Sequence, residues 1–225
     1  MESAESKRAR TAGLVRQFAP LLQSVVVTGG AGGGPAGRMV LPVPCLAGPT
    51  TRLRPWRVAD APVLVAAWRD LEIQGRLSVP QPSDEAAARR WISQREQAWT
   101  DGRSVDLAIA DPRSGTVIGE VGLSGFDPVR RAALIGWWIA SGWRGQGRAS
   151  EAVRLVVDWV LSDGPLEAVM AEVAAGNPAS MAVARRAGMR RVEVPRPVPP
   201  EPGSPTVIVF ARTRADGPMA YGRRG

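Results

Sequence analysis

The chain has 225 residues, 44 % of them hydrophobic, which suits one domain with a real core, and no apolar run nears the ~20 residues of a membrane-spanning helix. Cys45 is the single cysteine and there is no histidine, which excludes an internal disulfide, cysteine- or histidine-based metal motifs, Ser-His or Cys-His nucleophilic pairs and an imidazole base. The formal charge is +8, yet residues 51–214 hold 22 arginines against 18 acids, so half of the excess lies at the two ends and argues against polyanion binding as the main function.

Residues 1–50 read as a flexible extension. Lys7, Arg8 and Arg10 make a basic start, and residues 29–37 are nearly all glycine and alanine, a composition that buries too little apolar surface to offset the entropy of ordering. Met39 offers an alternative start just before the folded region. Gly32 to Gly37 contains Gly-x-Gly-x-x-Gly after the strand-like Val25–Val27. A dinucleotide site needs a helix to begin there and a strand ending in an acid about twenty residues on. Neither is present, and Pro42, Pro44 and Pro49 break the stretch.

Thr51 to Trp56 alternates as a first strand, and Asp60 then caps a helix over 61–71 with Val63, Leu64, Ala67 and Trp68 on one face. A loop over 74–82 leads to Ser83-Asp84-Glu85, a helix start for residues 85–100. Strands at 105–110 and 116–123 form a hairpin through Asp111 to Gly115, and an apolar run, Ala132 to Ala140, adds a third strand to the meander. The apolar residues from Ala152 to Leu161 recur at helical spacing over 150–161, and a strand follows at 166–173. Asn177 caps a helix with Pro178 at its first position and Gly188 at its end. Strands at 189–194 and 206–213 flank a proline-rich loop, Pro195 to Pro205, and residues 215–225 form a tail. Seven strands and four helices are thus expected.

Between Trp137 and Ser150 the order is strand, glycine loop, helix. A helix start carries unpartnered N–H groups and partial positive charge, and Gly145 and Gly147 let backbone approach an anion closely. Arg144 and Arg148 add charge, so the loop is either a pyrophosphate cradle or a simple tight connection. Arg144-x-x-Gly147-x-Ala149 resembles the (Gln/Arg)-x-x-Gly-x-(Gly/Ala) motif of the GNAT superfamily of acyl-CoA-dependent N-acyltransferases. Thr-x-Arg-Leu ending at Leu53, Trp68-Arg69-Asp70 and Ser83-x-Glu85-x-Ala87-x-x-Trp91 are similar to its ribosomal-protein alanine and serine N-acetyltransferase branch. The similarity runs from about Thr51 to Arg214.

The resemblance implies a GNAT fold of the α/β (α+β) class, with a mixed, mostly antiparallel sheet of about seven strands flanked by about four helices. It implies acetyl-CoA as cosubstrate, no metal, and a primary amine as acceptor, either a small molecule or a protein N-terminus. By the same resemblance, Arg144, Gly145, Gln146, Gly147, Arg148, Ala149 and Ser150 would hold the pyrophosphate. Trp138, Ile139 and Ala140 would meet the pantetheine arm through main-chain groups, the Trp side chains otherwise being core. Asn177 and Ser180 match an Asn-x-x-Ser element that puts the asparagine near pantetheine and makes Ser180 a proton donor to the leaving sulfur. The alternative for Ser180 is a first-turn serine bonding nearby backbone.

Two departures stand out. The Ala-Glu-Ile-Gly pattern of relatives reads Ala133-Leu134-Ile135-Gly136, and Ala184 stands where many carry a catalytic tyrosine, Tyr221 in the tail being the only tyrosine. Glu120 is the candidate replacement base, or else a solvent-facing strand residue; water-mediated deprotonation is the other route. The 74–82 and 195–205 loops, with Arg76 and Arg196, would border the acceptor. The reading is a cytoplasmic enzyme, monomer or homodimer, with no membrane or nucleic-acid partner; the alternative is a non-catalytic CoA- or polyanion-binding module of the same fold.

Overall fold

A computed structural model describes residues 46–75, 79–193 and 206–218 of the chain. The glycine-rich stretch, Arg76, the proline-rich loop with Arg196, and Tyr221 lie outside the described residues. One sheet holds β1 (Leu46–Ala47), β2 (Arg52–Pro55), β3 (Ser104–Ala110), β4 (Val117–Asp127), β5 (Ala132–Ile139), β6 (Ala168–Ala174), β7 (Arg190–Val192) and β8 (Val207–Thr213). Their spatial order is β1-β2-β3-β4-β5-β6-β8-β7. Neighbours are antiparallel except β5 and β6. The β3–β4 turn is closed by Asp111, whose carboxylate accepts the N–H groups of Arg113 and Ser114 at 3.1 and 2.9 Å.

Alternate residues of each strand serve opposite faces. Leu107 and Ile109 of β3, Val121 and Leu123 of β4 and Phe210 of β8 pack beneath α5 (Arg148–Ser162), which buries Val153, Val156, Val157 and Val160. Each fully buried side chain of that kind contributes about 1.5–3 kcal/mol relative to exposure. Ala184 of α6 (Pro178–Arg186) joins the same layer. Ala108 and Trp138, one residue out of phase, face α1 (Ala61–Arg69) and α3 (Glu85–Ser93), which supply Leu64, Trp68, Ala88 and Ile92. Trp56 packs edge-on to Trp91 at 5.8 Å in this second layer.

Several boundaries differ from expectation. Leu46 and Ala47, read as extension, belong to the sheet, pairing with Leu53 and Arg52, and Glu151 of α5 holds the bend that follows by accepting from Thr50 N, Thr50 Oγ1 and Thr51 Oγ1. The fold likewise runs past 214, because Thr213 and Asp216 cap a short turn and Gly217 O accepts from Arg212. Asp60 stands at the N-cap of α1 as expected, but its side chain makes no cap bond to the helix; its carboxylate accepts from Arg57 N and pairs with Arg54, closing the turn before it. Within the expected helix start, Asp84 caps α3, accepting from Ala87 N at 2.7 Å. The helix expected over 85–100 breaks at Gln94 into α3 and α4 (Arg95–Thr100), where Ser93 Oγ bonds back to Arg90 O. A further one-turn helix, α2 (Leu71–Gln74), stands where the first helix was expected to give way to a loop, capped by Asp70 through Glu72 N and Ile73 N.

The feature that positions the site is a split in the sheet. β5 and β6 pair only at Ala132–Ala168, Ala133–Val169 and Leu134–Met170. β5 then runs on to Ile139 and β6 to Ala174 without touching in register, so the sheet opens into a wedge.

Candidate active site

Strand alternation decides which main-chain groups enter the wedge. Ala140 N donates to Ile118 O at 2.9 Å, so the ladder positions of β5 that face β4 are the even ones, down through Trp138 and Gly136. Trp137 and Ile139 turn their main-chain groups the other way, into the gap, and Ile139 O accepts from Arg144 Nε at 3.0 Å. Of the strand residues expected at a ligand, Ile139 therefore presents main chain, whereas the N–H of Ala140 is committed to Ile118. Trp138, 8 % exposed, presents an indole that belongs to the second core and also walls the cleft. Trp137 is the residue missed; the period-two alternation was its signal.

The wedge is a cavity of roughly 160 Å³. Trp137, Trp138 and Ile139 form its floor, Asn177, Ser180 and Val183 of α6 one side, and Glu72 and Ile73 of α2 the other. Neither residue of α2 was anticipated, since its one turn had been folded into the ends of a helix and a loop. A second hollow, between α2 and the end of β6, shares Glu72 and adds Leu71, Gly75, Ala174, Ala175, Gly176 and Thr206.

The glycine loop closes one end of the cavity. Gly145 and Gly147 have φ of +75° and +76°, and Gly147 is the N-cap of α5. Among the described residues, the N–H groups of Gly145, Gln146, Gly147, Arg148, Ala149 and Ser150 donate to no other group of the protein. Six successive free donors at a helix start make a concave anion site. The charge expected from the two arginines is already compensated. Arg144 pairs with Asp70 and Glu72, each at 2.7 Å. Arg148 pairs with Asp111 at 2.8 Å, donates to Thr50 O at 2.7 Å and stacks over Trp143. Ser114 N–H and, against the opposing effect of burial, Arg148 hold the Asp111 carboxyl at about 2. Gln146 braces the loop through Gly142 O and Arg148 Nε, Ala149 lines the cavity, and Ser150 is buried behind it.

Asn177 and Ser180 come together. Asn177 Oδ1 accepts Ser180 N–H at 3.1 Å, the helix cap, and Asn177 Nδ2 donates to Ser180 Oγ at 2.8 Å. The serine does bond locally, but as an acceptor from a side chain.

Glu120 is not solvent-facing. It pairs in register with Trp138, and its Oε2 is buried without a hydrogen bond because α1 and α3 cover this face. Burial, reinforced by the Asp106 carboxylate, pushes its pKa up to about 8, while Arg95 and the indoles of Trp56 and Trp138 act in the opposite sense. Glu120 does not line the cavity; Trp138 stands between them. Leu134, in place of the relatives' glutamate, packs with Met170 and Val192, and Ala184 is wholly buried. Among the described residues no cluster of three His, Cys, Asp or Glu side chains could hold a metal, and no helix is long and apolar enough to cross a membrane.

Comparison with known proteins agrees with this geometry. A protein named uncharacterized N-acetyltransferase p20, from Bacillus licheniformis, is 28 % identical over 129 residues, 57 % of this chain and 72 % of that one. The structure of a putative ribosomal-protein-serine acetyltransferase from Vibrio cholerae superposes with a TM-score of 0.63 at 20 % identity, over 75 % of this chain and 96 % of that one. RimJ of Mycobacterium smegmatis, in complex with CoA-disulfide, superposes with a TM-score of 0.61 at 23 % identity, over 76 % and 85 %. The acetyltransferase (GNAT) domain model matches residues 51–190, from β2 through the glycine loop and Ser180 to the start of β7, and the chain belongs to that family of acetyltransferases.

Proposed function

We propose that this chain transfers the acetyl group of acetyl-CoA to a primary amine by direct attack within a ternary complex. The observation that carries the reading is the row of unpaired N–H groups from Gly145 to Ser150 beside the β5–β6 wedge. The donor set fits a diphosphate, which needs several convergent donors and no metal. The wedge fits a narrow amide-bearing arm, since Trp137 and Ile139 offer main-chain groups along it. Coenzyme A supplies the activated acyl group as a thioester.

The protein's share of the chemistry is placement, proton removal and proton supply. Holding amine and thioester in line accounts for a large part of the rate in such reactions. Ser180, its Oγ already accepting from Asn177, keeps its own hydrogen to donate to sulfur as the C–S bond breaks, and takes a proton back from solvent. Glu120 accepts the proton that the amine loses as the N–C bond forms, through water passing Trp138. Leu71, Glu72 and the small residues Ala174 to Gly176 border the acceptor. The name of the Vibrio cholerae relative, a ribosomal-protein-serine acetyltransferase, favours a protein as that acceptor, and its N-terminal amine is the primary amine we assign.

The test is calorimetric titration of acetyl-CoA into the wild type and Gly147→Val, followed by thiol release with a panel of amines and N-terminal peptides. Binding by the wild type alone, with amine-dependent thiol release, is expected. Binding without release from any amine would instead identify a CoA-binding module. No binding by the folded wild type would sink the reading.

A further inference from the structure

Arg144 joins two parts of the site that lie 72 and 74 residues apart in the chain. Its Nε donates to Ile139 O at 3.0 Å, and its two terminal nitrogens to Glu72 Oε2 and Asp70 Oδ2 at 2.7 Å each. A planar guanidinium meets three acceptors at once in a fixed geometry, as an ammonium cannot. Asp70 also caps α2. Burial raises its pKa, but the Glu72 N–H and Arg144 outweigh that and hold the carboxyl below its ordinary range, so it faces Arg144 as an anion.

One turn of helix has no stability of its own. α2 buries Ile73 of its four residues and leaves Leu71 82 % exposed, and Gln74 Nε2 on Trp68 O and the Arg144 bridge tie it to the body of the fold. Yet α2 is the wall that both hollows share. The residue fixing that wall stands next to Gly145, at the mouth of the anion cradle.

We infer that Arg144 is a positioning residue that couples the glycine loop to α2, and that it does not itself bind the phosphates. Order imposed on the loop by a bound diphosphate is passed through Arg144 to Asp70 and Glu72, so the acceptor side takes its working shape when the cofactor side is filled. This rests on the reading of the loop as a coenzyme A site.

The experiment uses the full chain as wild type, Arg144→Gln, Asp70→Asn and Glu72→Gln. Asparagine retains the oxygen that caps α2 but not the charge that meets Arg144, so Asp70→Asn separates the bridge from the cap. Coenzyme A affinity is measured by calorimetry, and amide hydrogen exchange of residues 70–75 is followed with and without saturating coenzyme A. Affinity is expected to stay within about twofold in Arg144→Gln and Asp70→Asn, because the phosphate donors are backbone groups, while Glu72→Gln, at a wall of the cavity, is read by exchange alone. In the free protein, exchange over 70–75 is expected to quicken about tenfold in Arg144→Gln and Asp70→Asn, the scale of one lost charge-assisted contact. Coenzyme A is expected to slow that exchange in the wild type and to leave it unchanged in Arg144→Gln, a response that simple loss of fold would not give.

A loss of affinity of about tenfold or more in Arg144→Gln would make Arg144 a phosphate ligand and overturn the inference. Exchange over 70–75 that ignores the variants, or that ignores coenzyme A in a wild type that binds it, would overturn it as well. A wild type that binds no coenzyme A overturns the cofactor reading itself, and the coupling with it, whereas the exchange of the free protein still reports whether Arg144 holds α2.

Discussion

Asn177 and Ser180 lock each other in one orientation: the amide oxygen takes the Ser180 N–H at 3.1 Å, which leaves the amide nitrogen to donate to Ser180 Oγ at 2.8 Å. The cap thereby fixes the polarity of the pair, and the serine hydrogen is left for another acceptor. Ser180→Ala is expected to lower turnover by about 10²-fold with acetyl-CoA affinity retained, the scale of a lost general acid. Asn177→Asp keeps the cap but turns the donor into a second acceptor, so turnover falls with little change in melting temperature. Asn177→Ala adds a stability loss of about 1 kcal/mol. Thiol release and thermal unfolding read the two effects separately; equal turnover in Ser180→Ala and the wild type would remove Ser180 from the chemistry.

Gly147 is needed for its backbone, not for space. A Cβ built there meets nothing within 4 Å, but φ is +76°, where an L-residue carries strain of about 1–2 kcal/mol. Relief of that strain would turn the backbone that carries the free N–H groups. Gly147→Ala should therefore melt lower and bind acetyl-CoA more weakly. Gly142→Ala, with equal room and no positive φ, should change neither. Loss of binding in both variants would mean that the loop responds to bulk anywhere along it.

The parts of the site that were legible in the sequence are the local ones. Gly145, Gly147 and the apolar spacing of α5 sit within one segment, as do Asn177 and Ser180, so spacing alone brings them together. Pairings across the chain were not legible. Arg144 reads as phosphate charge until Asp70 and Glu72 are found opposite it, and Arg148 until Asp111 is. α2 has one buried apolar residue in four, too few for a periodic signal, and β1 is two residues long. Glu120 lies on a strand whose covering layer comes from helices far earlier in sequence, so its burial depends on packing that no local window contains.

Arg212 is 2 % exposed and joins four segments: it forms an ion pair with Asp158 of α5 at 2.6 Å and donates to Ala187 O beyond α6 and to Gly217 O, all from β8. Arg212→Ala leaves Asp158 beside Arg154 alone and strands two carbonyls, a change expected to cost about 3–5 kcal/mol. Arg89 and Glu85, with side chains 52 % and 53 % exposed, make the control: Arg89→Ala should cost no more than about 0.5 kcal/mol. Denaturant unfolding of both variants checks the contrast, and similar losses would show that burial of the Arg212 pair is not what gives it weight.

With Glu120 as the base, activity and stability should follow one titration with opposite signs. A base must be ionised, so turnover should rise with pH towards a plateau above about 8, the value to which burial and Asp106 push this carboxyl. Asp106→Asn removes the neighbouring negative charge and also frees Arg95, whose partner it is at 3.0 Å. Both changes favour the anion, so the limb should move to lower pH. Stability runs the other way. The folded value lies above the ordinary 4.5, so between 4.5 and about 8 the folded chain holds a proton that the unfolded chain has released. The contribution is fully present below 4.5 and is lost as pH rises through about 8. Glu120→Gln should flatten that decline when unfolding is compared at about pH 6 and about pH 9. It should also abolish the rising limb of the rate profile. A limb that persists in Glu120→Gln would belong to the acceptor amine or to another group and would leave Glu120 as a buried structural acid.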